Sequence, residues 1–380
     1  MRGKMRKSWP AGHFSVRIAQ KEDATGVRAL LIRSCTIVAA LLFSMLIIFG
    51  MGYDPLQALY AMLKGSFGSV YGIKNTVVVA IPLLVTAVGL SVAFSMKFWN
   101  IGAEGQFVFG AICATFVTRC VPEHINGFLL ISLMVVAGMI GGAVWALIPG
   151  LFRAYSNTNE TLFTLMMNYL AIKIAVYLRC ELWKDPAALG FPQIAAIPEQ
   201  AYLPKLFGVH IGWMIALVVV ALVTVFLKYT KKGYEIRVVG ESERTARYAG
   251  INVRHVILTG VLISGGLVGL ASVLKLNGVS YVLSENIGGG SGFTAIIVAW
   301  LSQLKAPVMI VVALLFAAME QGSMAMELSL NIPASAAKII EGLILFSALA
   351  AEFFIRYRII FAGKSESCAV EPYEQKETRS

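Results

Sequence analysis

Long apolar runs alternate with short polar segments along this chain, and the alternation predicts a bundle of membrane-spanning helices. A hydrocarbon core of about 30 Å requires about 20 apolar residues in an α-helix. Eight runs have roughly that length, namely 34–52, 75–96, 127–152, 160–179, 210–227, 256–275, 306–325 and 335–355. Two more, 100–119 and 291–304, are shorter or interrupted by glycine. We therefore expect an all-α integral membrane protein with about ten transmembrane helices.

Composition supports this class and argues against several others. The chain has 380 residues, of which 58% are hydrophobic and only 14% are charged, too few charges to solvate the surface of a water-soluble protein of this size. The net charge of +11 lies in short basic segments between apolar runs, so no nucleic-acid partner is expected. The five cysteines form no C-x-x-C and no metal-ligand spacing, so no metal site or cofactor is predicted.

The distribution of Lys and Arg sets the orientation of the spans. With the N-terminus in the cytoplasm, 23 of the 32 basic residues fall in inside segments, and the opposite orientation would reverse that ratio. Both termini are therefore predicted to be cytoplasmic. The expected organisation is a basic N-terminal segment 1–33, a transmembrane domain 34–355 and a C-terminal tail 356–380.

Two loops are longer than the others. Segment 181–209 would lie outside; it holds four prolines and few charges, and either a docking surface for an external partner or a long ordered loop would explain it. Segment 228–255 would lie inside, is charged, and has a helical pattern at 242–249. A soluble cytoplasmic partner would have to bind there.

A short motif occurs twice. Residues 100–107 (NIGAEGQF) and 286–293 (NIGGGSGF) share four of eight positions, and each precedes one of the two short spans. In the predicted topology the two spans run in opposite directions, so the repeat would be inverted. Transporters with inverted repeats place the substrate site at the repeat interface.

Motifs for ATP binding and for catalysis are missing. No G-x-x-x-x-G-K-[ST] occurs, so the chain has no loop to hold the phosphates of ATP, and any ATP-driven role requires another subunit. H-E-x-x-H and G-x-S-x-G are also absent, and no nucleophile–base pair is evident. We therefore do not expect an enzyme.

Four segments resemble the permease family of nucleoside and simple-sugar ABC importers, within the branched-chain amino acid and ribose permease superfamily. They are FWNIGAEGQ at 98–106, NETLFTLMMNY at 159–169, VGESERTARYAGI at 239–251 and GFTAIIVA at 292–299. The resemblance runs from about residue 70 to 355. Two positions depart from the family pattern: Thr245, where alanine is frequent, and Trp300, where a smaller aliphatic residue is usual.

The resemblance implies a type II-like ABC importer permease in the bacterial plasma membrane. Its partners would be cytoplasmic ABC ATPase subunits, a second permease (identical or paralogous), an external substrate-binding lipoprotein and membrane lipid. The charged helix in the inside loop would dock the ATPase. The residues assigned to this coupling are Gly240, Glu241, Glu243, Arg244, Ala246, Arg247, Ala249 and Gly250.

Polar and aromatic residues within the spans are candidates for the substrate pathway, because polar groups at that depth usually face a cavity or a partner. The glycines near residue 100 allow the backbone to unwind and bind a polar ligand, and the aromatic residues suit a planar base or flavin. The predicted pathway residues are Asn100, Gly102, Glu104, Gln106, Phe107, Asn168, Phe293 and Trp300. For Glu104, Lys173, Glu320, Lys338 and Glu341, a pathway role and a structural role both stay open.

The expected function is inward transport of a small polar solute, with a nucleoside as first choice and a simple sugar or a riboflavin-like compound as alternatives. A different class, an ion-coupled secondary transporter, would use Glu104 and Glu320 as ion sites. A channel or membrane scaffold would not explain the long charged inside loop.

Overall fold

The structure, a computed structural model, describes residues 15–20, 42–122, 125–156, 158–188, 190, 192–333, 339, 342–343, 346–347 and 357–362. The chain divides into two compact units, one formed by Leu41–Phe346 and one by Met1–Ala40 with Ser347–Ser380. The larger unit is a helical bundle and contains all candidate site residues that the structure describes. Its architecture agrees with the predicted all-α class.

The helices of the larger unit follow one another along the chain. They are α1 Leu42–Gly50, α2 Pro55–Phe67, α3 Val70–Ser95, α4 Ala103–Cys120, α5 Gly127–Ser156, α6 Glu160–Tyr177, α7 Gly212–Tyr229, α8 Lys231–Glu241, α9 Glu243–Tyr248, α10 Val253–Lys275, α11 Ser291–Leu301 and α12 Ala306–Leu330. Single π-helical turns extend α6 over Leu178–Leu182 and α10 over Leu276–Ser280.

Six of these helices are long and apolar enough to cross a membrane: α3, α5, α6, α7, α10 and α12. The pair α1 and α2 is bent by 119°, and it would make a seventh span if it counts as one. Helix α4 falls outside this set, and the 11 residues of α11 rise only about 16 Å, half the thickness of a bilayer core. Most of the predicted span 335–355 and residues 34–41 lie outside the described residues.

Helix α2 is an element that the hydropathy pattern does not predict. Asp54 caps its N-terminus by accepting hydrogen bonds from the backbone N–H groups of Leu56 and Gln57, and Pro55 occupies the first helical position, where a missing N–H costs nothing. The helix packs on α12, where the Ser66 hydroxyl donates to the carbonyl of Ala318. Hydropathy alone does not reveal α2, because its 13 residues are too few for a separate span.

The most extensive contact between two helices of the described bundle is that between α5 and α10. The G-x-x-x-G spacings Gly138/Gly142 and Gly265/Gly269 predict close helix packing, and the structure confirms it. An added Cβ on Gly265 would lie 2.5 Å from the Gly142 carbonyl oxygen, and one on Gly142 would lie 2.8 Å from Gly269 Cα. Glycine is required at these positions because the two backbones are almost in contact.

A few strands add to the helical architecture. In the smaller unit, β1 (Ser15–Gln20) and β4 (Tyr357–Ala362) pair antiparallel, with Ser15 opposite Ala362 and Gln20 opposite Tyr357. The sequence of β1 alternates polar and apolar residues, a pattern typical of strands, although the charge distribution predicts both segments only as basic flanks. In the larger unit, β2 (Lys205–Leu206) and β3 (Val209–His210) form a short hairpin within the loop between α6 and α7.

Candidate functional site

The turn that leads into α4 is held by two buried amide side chains. Asn100 Oδ1 accepts hydrogen bonds from the Gly102 N–H and from Gln106 Nε2, both at 3.0 Å, and Asn100 Nδ2 donates to Gln106 Oε1 at 3.2 Å. Both side chains are almost fully buried. In this conformation the two amides satisfy each other and the backbone, which fixes the shape of the turn.

Helix α6 supports the same turn from the other side. The Ile101 N–H donates to Thr164 Oγ1 at 3.2 Å, the Gly105 N–H donates to Asn168 Oδ1 at 2.8 Å, and Asn168 Nδ2 donates to the Ile101 carbonyl at 2.9 Å. A Cβ on Gly105 would lie 2.9 Å from Asn168. Asn168, predicted as a pathway residue, therefore connects α6 to the start of α4 in this conformation.

The carboxylate of Glu104, in the first turn of α4, caps the N-terminus of α11. Its Oε1 accepts a hydrogen bond from the Gly290 N–H at 3.1 Å and its Oε2 one from the Gly292 N–H at 2.8 Å. An anion is favourable at a helix N-terminus because the N–H groups there have no partner within the helix. The two copies of the repeated motif, 100–107 and 286–293, thus meet directly; their common ancestry stays a prediction.

Lys275, at the end of α10, contacts the same place. Its Nζ donates to the Gly288 carbonyl at 3.1 Å and to Ser291 Oγ at 3.4 Å, and lies 5.9 Å from the centre of the Phe107 ring. The carboxylates of Glu320 and Glu104 both act electrostatically on this ammonium group. Phe107 is completely buried, so this conformation does not offer its ring to a ligand.

An aromatic cluster lies at the other end of α11. The rings of Trp99 and Trp300 stack with centroids 5.2 Å apart and planes 16° apart, and Phe94 lies 5.6 Å from Trp300. Trp99 is 46% exposed, and Phe293, in the first turn of α11, is 44% exposed. The indole nitrogen of Trp300 has no hydrogen-bond partner among the described residues. Accessible aromatic surface is thus found on Trp99 of this cluster and, at the opposite end of α11, on Phe293.

The predicted coupling segment folds into two helices, α8 and α9. Ser242 caps α9 by accepting a hydrogen bond from the Thr245 N–H at 3.3 Å, so the expected helix at 242–249 is confirmed. Ala246 is fully buried, whereas Tyr248 is 93% exposed. Helix α9 therefore has one face on the bundle and one face open.

An ion pair and a close backbone contact help attach this segment to the bundle. Arg153, in the last turn of α5, forms ion pairs with Glu243 of α9 at 2.9 Å and with Glu160 of α6 at 3.2 Å. Gly240 packs on the backbone of Ser95 in α3. The remaining predicted coupling residues are exposed and surround the open face: Glu241, Arg244, Arg247, Ala249 and Gly250.

The charged residues whose role the sequence leaves open fall into different environments. Lys173 is exposed on the surface of α6, and Glu320 is partly buried on α12, near Lys275. Lys338 and Glu341 lie outside the described residues.

The described residues of segment 181–209 include two that hydrogen-bond to the region just after α10. The Ile197 N–H donates to the Tyr281 carbonyl at 2.9 Å and the Leu203 N–H to the Asn277 carbonyl at 3.0 Å. His210, which follows it in β3, is buried, and neither ring nitrogen has a partner in the described structure. Burial, with the nearby Lys205 cation as a second cause, lowers the pKa of His210 to about 4.

Sequence reasoning missed several residues that the structure brings to the site: Trp99, Arg153, Thr164 and Lys275. Trp99 lies inside the quoted motif next to Asn100, and its position was the available signal. Arg153 and Lys275 stand out in the sequence only as charges near helix ends. Their partners come from other helices and are not visible in a local pattern.

Comparison with known proteins decides the family. Residues 72–349 match the family described as "Branched-chain amino acid transport system / permease component". The chain belongs to this permease family. Similar proteins include the glucose ABC transporter permease protein TsgB13 of Haloferax volcanii, 30% identical, with 85% of this chain and 88% of the relative covered. The guanosine ABC transporter permease protein NupP of Bacillus subtilis is 27% identical, with 86% and 95% covered, and the nucleoside ABC transporter permease protein NupB of Lactococcus lactis is 27% identical, with 86% and 92% covered.

Membership confirms the predicted class. The chain is an all-α, multi-pass permease subunit of an ABC importer in the plasma membrane, and it is a transport component rather than an enzyme. As a permease of this family it works with ABC ATPase and substrate-binding partners.

Proposed function

We propose that this permease moves nucleosides into the cell. The observation that carries the proposal is the similarity over nearly full length to two relatives named for guanosine and for nucleosides. The exposed aromatic surface of Trp99 and Phe293 supports it, together with Trp300, which stacks on Trp99, because a nucleobase is a planar ring that stacks well on such side chains.

Glucose is the second candidate cargo, because the relative with 30% identity is named for glucose. Uptake assays in a strain that lacks this permease, with and without the gene restored, separate the two. We expect restored uptake of labelled guanosine that unlabelled adenosine or uridine inhibits and glucose does not. Restored uptake of labelled glucose, with guanosine uptake unchanged, would refute the nucleoside assignment.

We assign the pathway to the region between the aromatic cluster and the turn before α4. Trp99, Phe293 and Trp300 are the proposed contacts of the base. The amides of Asn100, Gln106 and Asn168 already have partners in this conformation; for them to bind cargo, the turn would have to rearrange during the cycle. In this proposal Gly102 and Glu104, at the start of α4, move together with that turn.

Helix α9 is the proposed docking element for the ATPase. Its exposed face, with Tyr248 and Arg244, would enter a groove of the partner, as short amphipathic helices do. The ion pairs of Arg153 with Glu243 and Glu160 would carry its displacement to α5 and α6. The displacement would then pass from α6 through Asn168 and the turn before α4 to Glu104 and α11.

The proposed topology places both termini in the cytoplasm. The pairing of β1 with β4 supports a common side for the two ends of the chain, and the excess of Lys and Arg in the predicted inside segments supports the cytoplasmic side. The proposed assembly contains a second permease, identical or paralogous, two ATPases and an external binding lipoprotein that would meet segment 181–209.

A further inference from the structure

The contacts of Glu104 show a carboxylate with no free side for a ligand. Glu104 is only 6% exposed, and each of its two carboxylate oxygens accepts a hydrogen bond from a different glycine N–H at the start of α11. The backbone of α11 approaches so closely that a Cβ on Gly292 would lie 2.5 Å from the Glu104 nitrogen. A substrate could reach this carboxylate only by displacing α11.

Lys275 contacts the same turn as Glu104 and lies near the carboxylates of Glu320 and Glu104. Its ammonium group donates to the Gly288 carbonyl and to the Ser291 hydroxyl, which are residues of the same tight turn that Glu104 holds. Glu104 and Glu320 supply the negative charge around it. A buried charge is tolerated when it has a partner of opposite sign and is costly when it has none.

Helix α11 depends on these contacts. A helix of 11 residues is too short to be stable by itself, and Gly290, the residue that precedes it, adopts φ +87°, a conformation that favours glycine. The helix carries Phe293 in its first turn and Trp300 in its last, so its position sets where two of the proposed cargo contacts lie.

We propose that Glu104 and Lys275 are positioning residues for transport, which act on the cargo through α11 and do not touch it. The pair fixes the entry of α11 against α4 and α10, so that Phe293 and Trp300 are held ready for the cargo. This inference rests on the proposed function for its transport readout, but its structural part can be tested without any cargo.

The transport test compares Glu104→Gln, Lys275→Met and the double variant in the intact transporter, with labelled guanosine as cargo. We expect each single variant to lower the maximal uptake rate about tenfold: Glu104→Gln weakens the cap of α11, and Lys275→Met removes the cation that attracts both Glu104 and Glu320. The double variant should transport faster than Lys275→Met, because it removes one of the two negative charges that Lys275 attracts. The half-saturating guanosine concentration should rise as well, by about threefold, because Phe293 and Trp300 are then less often in the position that contacts the base.

A second measurement follows amide hydrogen exchange of the purified protein in nanodiscs. Peptides that contain Gly290 and Gly292 should exchange faster in Glu104→Gln and in the double variant than in the wild type, because both variants lack the carboxylate that caps α11, while peptides from the β2–β3 hairpin stay unchanged. This readout keeps the proposal testable if a variant is too impaired for uptake assays.

Two results would overturn the inference. One is a Glu104→Gln variant with a raised half-saturating concentration and an intact maximal rate, which would make Glu104 a cargo contact. The other is a double variant no better than the worse single variant, with exchange at 288–293 unaffected. A wild-type protein that transports no nucleoside would refute the proposed function instead, and the exchange results would still decide the role of the pair.

Discussion

The contact between α5 and α10 makes a sharp prediction, because two adjacent glycines of α10 meet different surroundings. A Cβ on Gly265 would lie 2.5 Å from the Gly142 carbonyl oxygen and would also meet Ala146, whereas real Cβ atoms essentially never come within 3.0 Å of such atoms. A Cβ on Gly266 would find its nearest atom, the Met139 carbonyl oxygen, at 3.6 Å, an ordinary van der Waals distance. Gly265→Ala and Gly266→Ala therefore form a matched pair.

The expected energies follow from packing and helix propensity. To relieve the contact at Gly265, the helices must separate by about 0.5–1 Å, which removes a quarter to a half of the dispersion energy across the gap. For about 40 atom pairs at about 0.15 kcal/mol each, the cost is about 1.5–3 kcal/mol. Alanine returns about 1 kcal/mol through its higher helix propensity. Gly265→Ala should thus be destabilised by about 0.5–2 kcal/mol, while Gly266→Ala should be neutral or stabilised by up to about 1 kcal/mol.

Unfolding of the purified variants in mixed micelles by titration with sodium dodecyl sulfate, followed by circular dichroism, measures these free energies. The sign of the difference between the two variants is the decisive quantity, because both introduce the same methyl group into the same helix. Equal stability of Gly265→Ala and Gly266→Ala would refute the close approach of α5 and α10.

Three further predictions concern other parts of the molecule. Arg153→Gln removes both ion pairs to α6 and α9, each of about 1 kcal/mol at these partly exposed positions, so the uptake per ATP hydrolysed should fall about three- to tenfold. Lys231→Gln, on the exposed start of α8, is the control and should leave this ratio unchanged. An unchanged ratio in Arg153→Gln would contradict the coupling route. The lowered pKa of His210 means that the folded state binds fewer protons than the unfolded state between pH 6.5 and about 4. Stability should therefore be complete above pH 6.5 and fall by up to about 3 kcal/mol as the pH drops to about 4, and a variant with His210→Phe that shows the same slope would contradict this. Trp300→Leu should raise the half-saturating guanosine concentration about three- to tenfold through the loss of an aromatic contact. Trp213→Leu is the control for a tryptophan outside the cluster. Equal effects of the two substitutions would contradict the aromatic assignment.

The membrane class and most helices could be predicted from the sequence because hydrophobicity in lipid is a local property. Apolar runs such as 75–96 and 306–325 are expected to cross a bilayer as α-helices, because all backbone polar groups are then satisfied within the segment. The helix at 242–249 could be predicted because Ser242 is a local N-cap. The Gly138/Gly142 and Gly265/Gly269 spacings likewise indicated close packing, since a small residue every fourth position makes a smooth helix face.

The details of the site depend on contacts between distant residues, and these could not be read locally. Glu104 looks in the sequence like a polar residue in a pathway, but its hydrogen-bond partners lie 186 and 188 residues away. Phe107 has the chemistry of a stacking surface, yet it is buried next to Lys275. Helix α2 was hidden because a bent pair of short helices does not produce a continuous apolar run.

The central claim is that transport requires an ATPase that binds at α9 and hydrolyses ATP. The most direct test is uptake of labelled guanosine by proteoliposomes that contain the complete complex, with ATP and the ion gradients varied independently. We predict uptake that requires ATP hydrolysis, persists with an ionophore present, and is lost when Ala246→Arg displaces α9 from the bundle. Uptake driven by a proton or sodium gradient without ATP would contradict this claim.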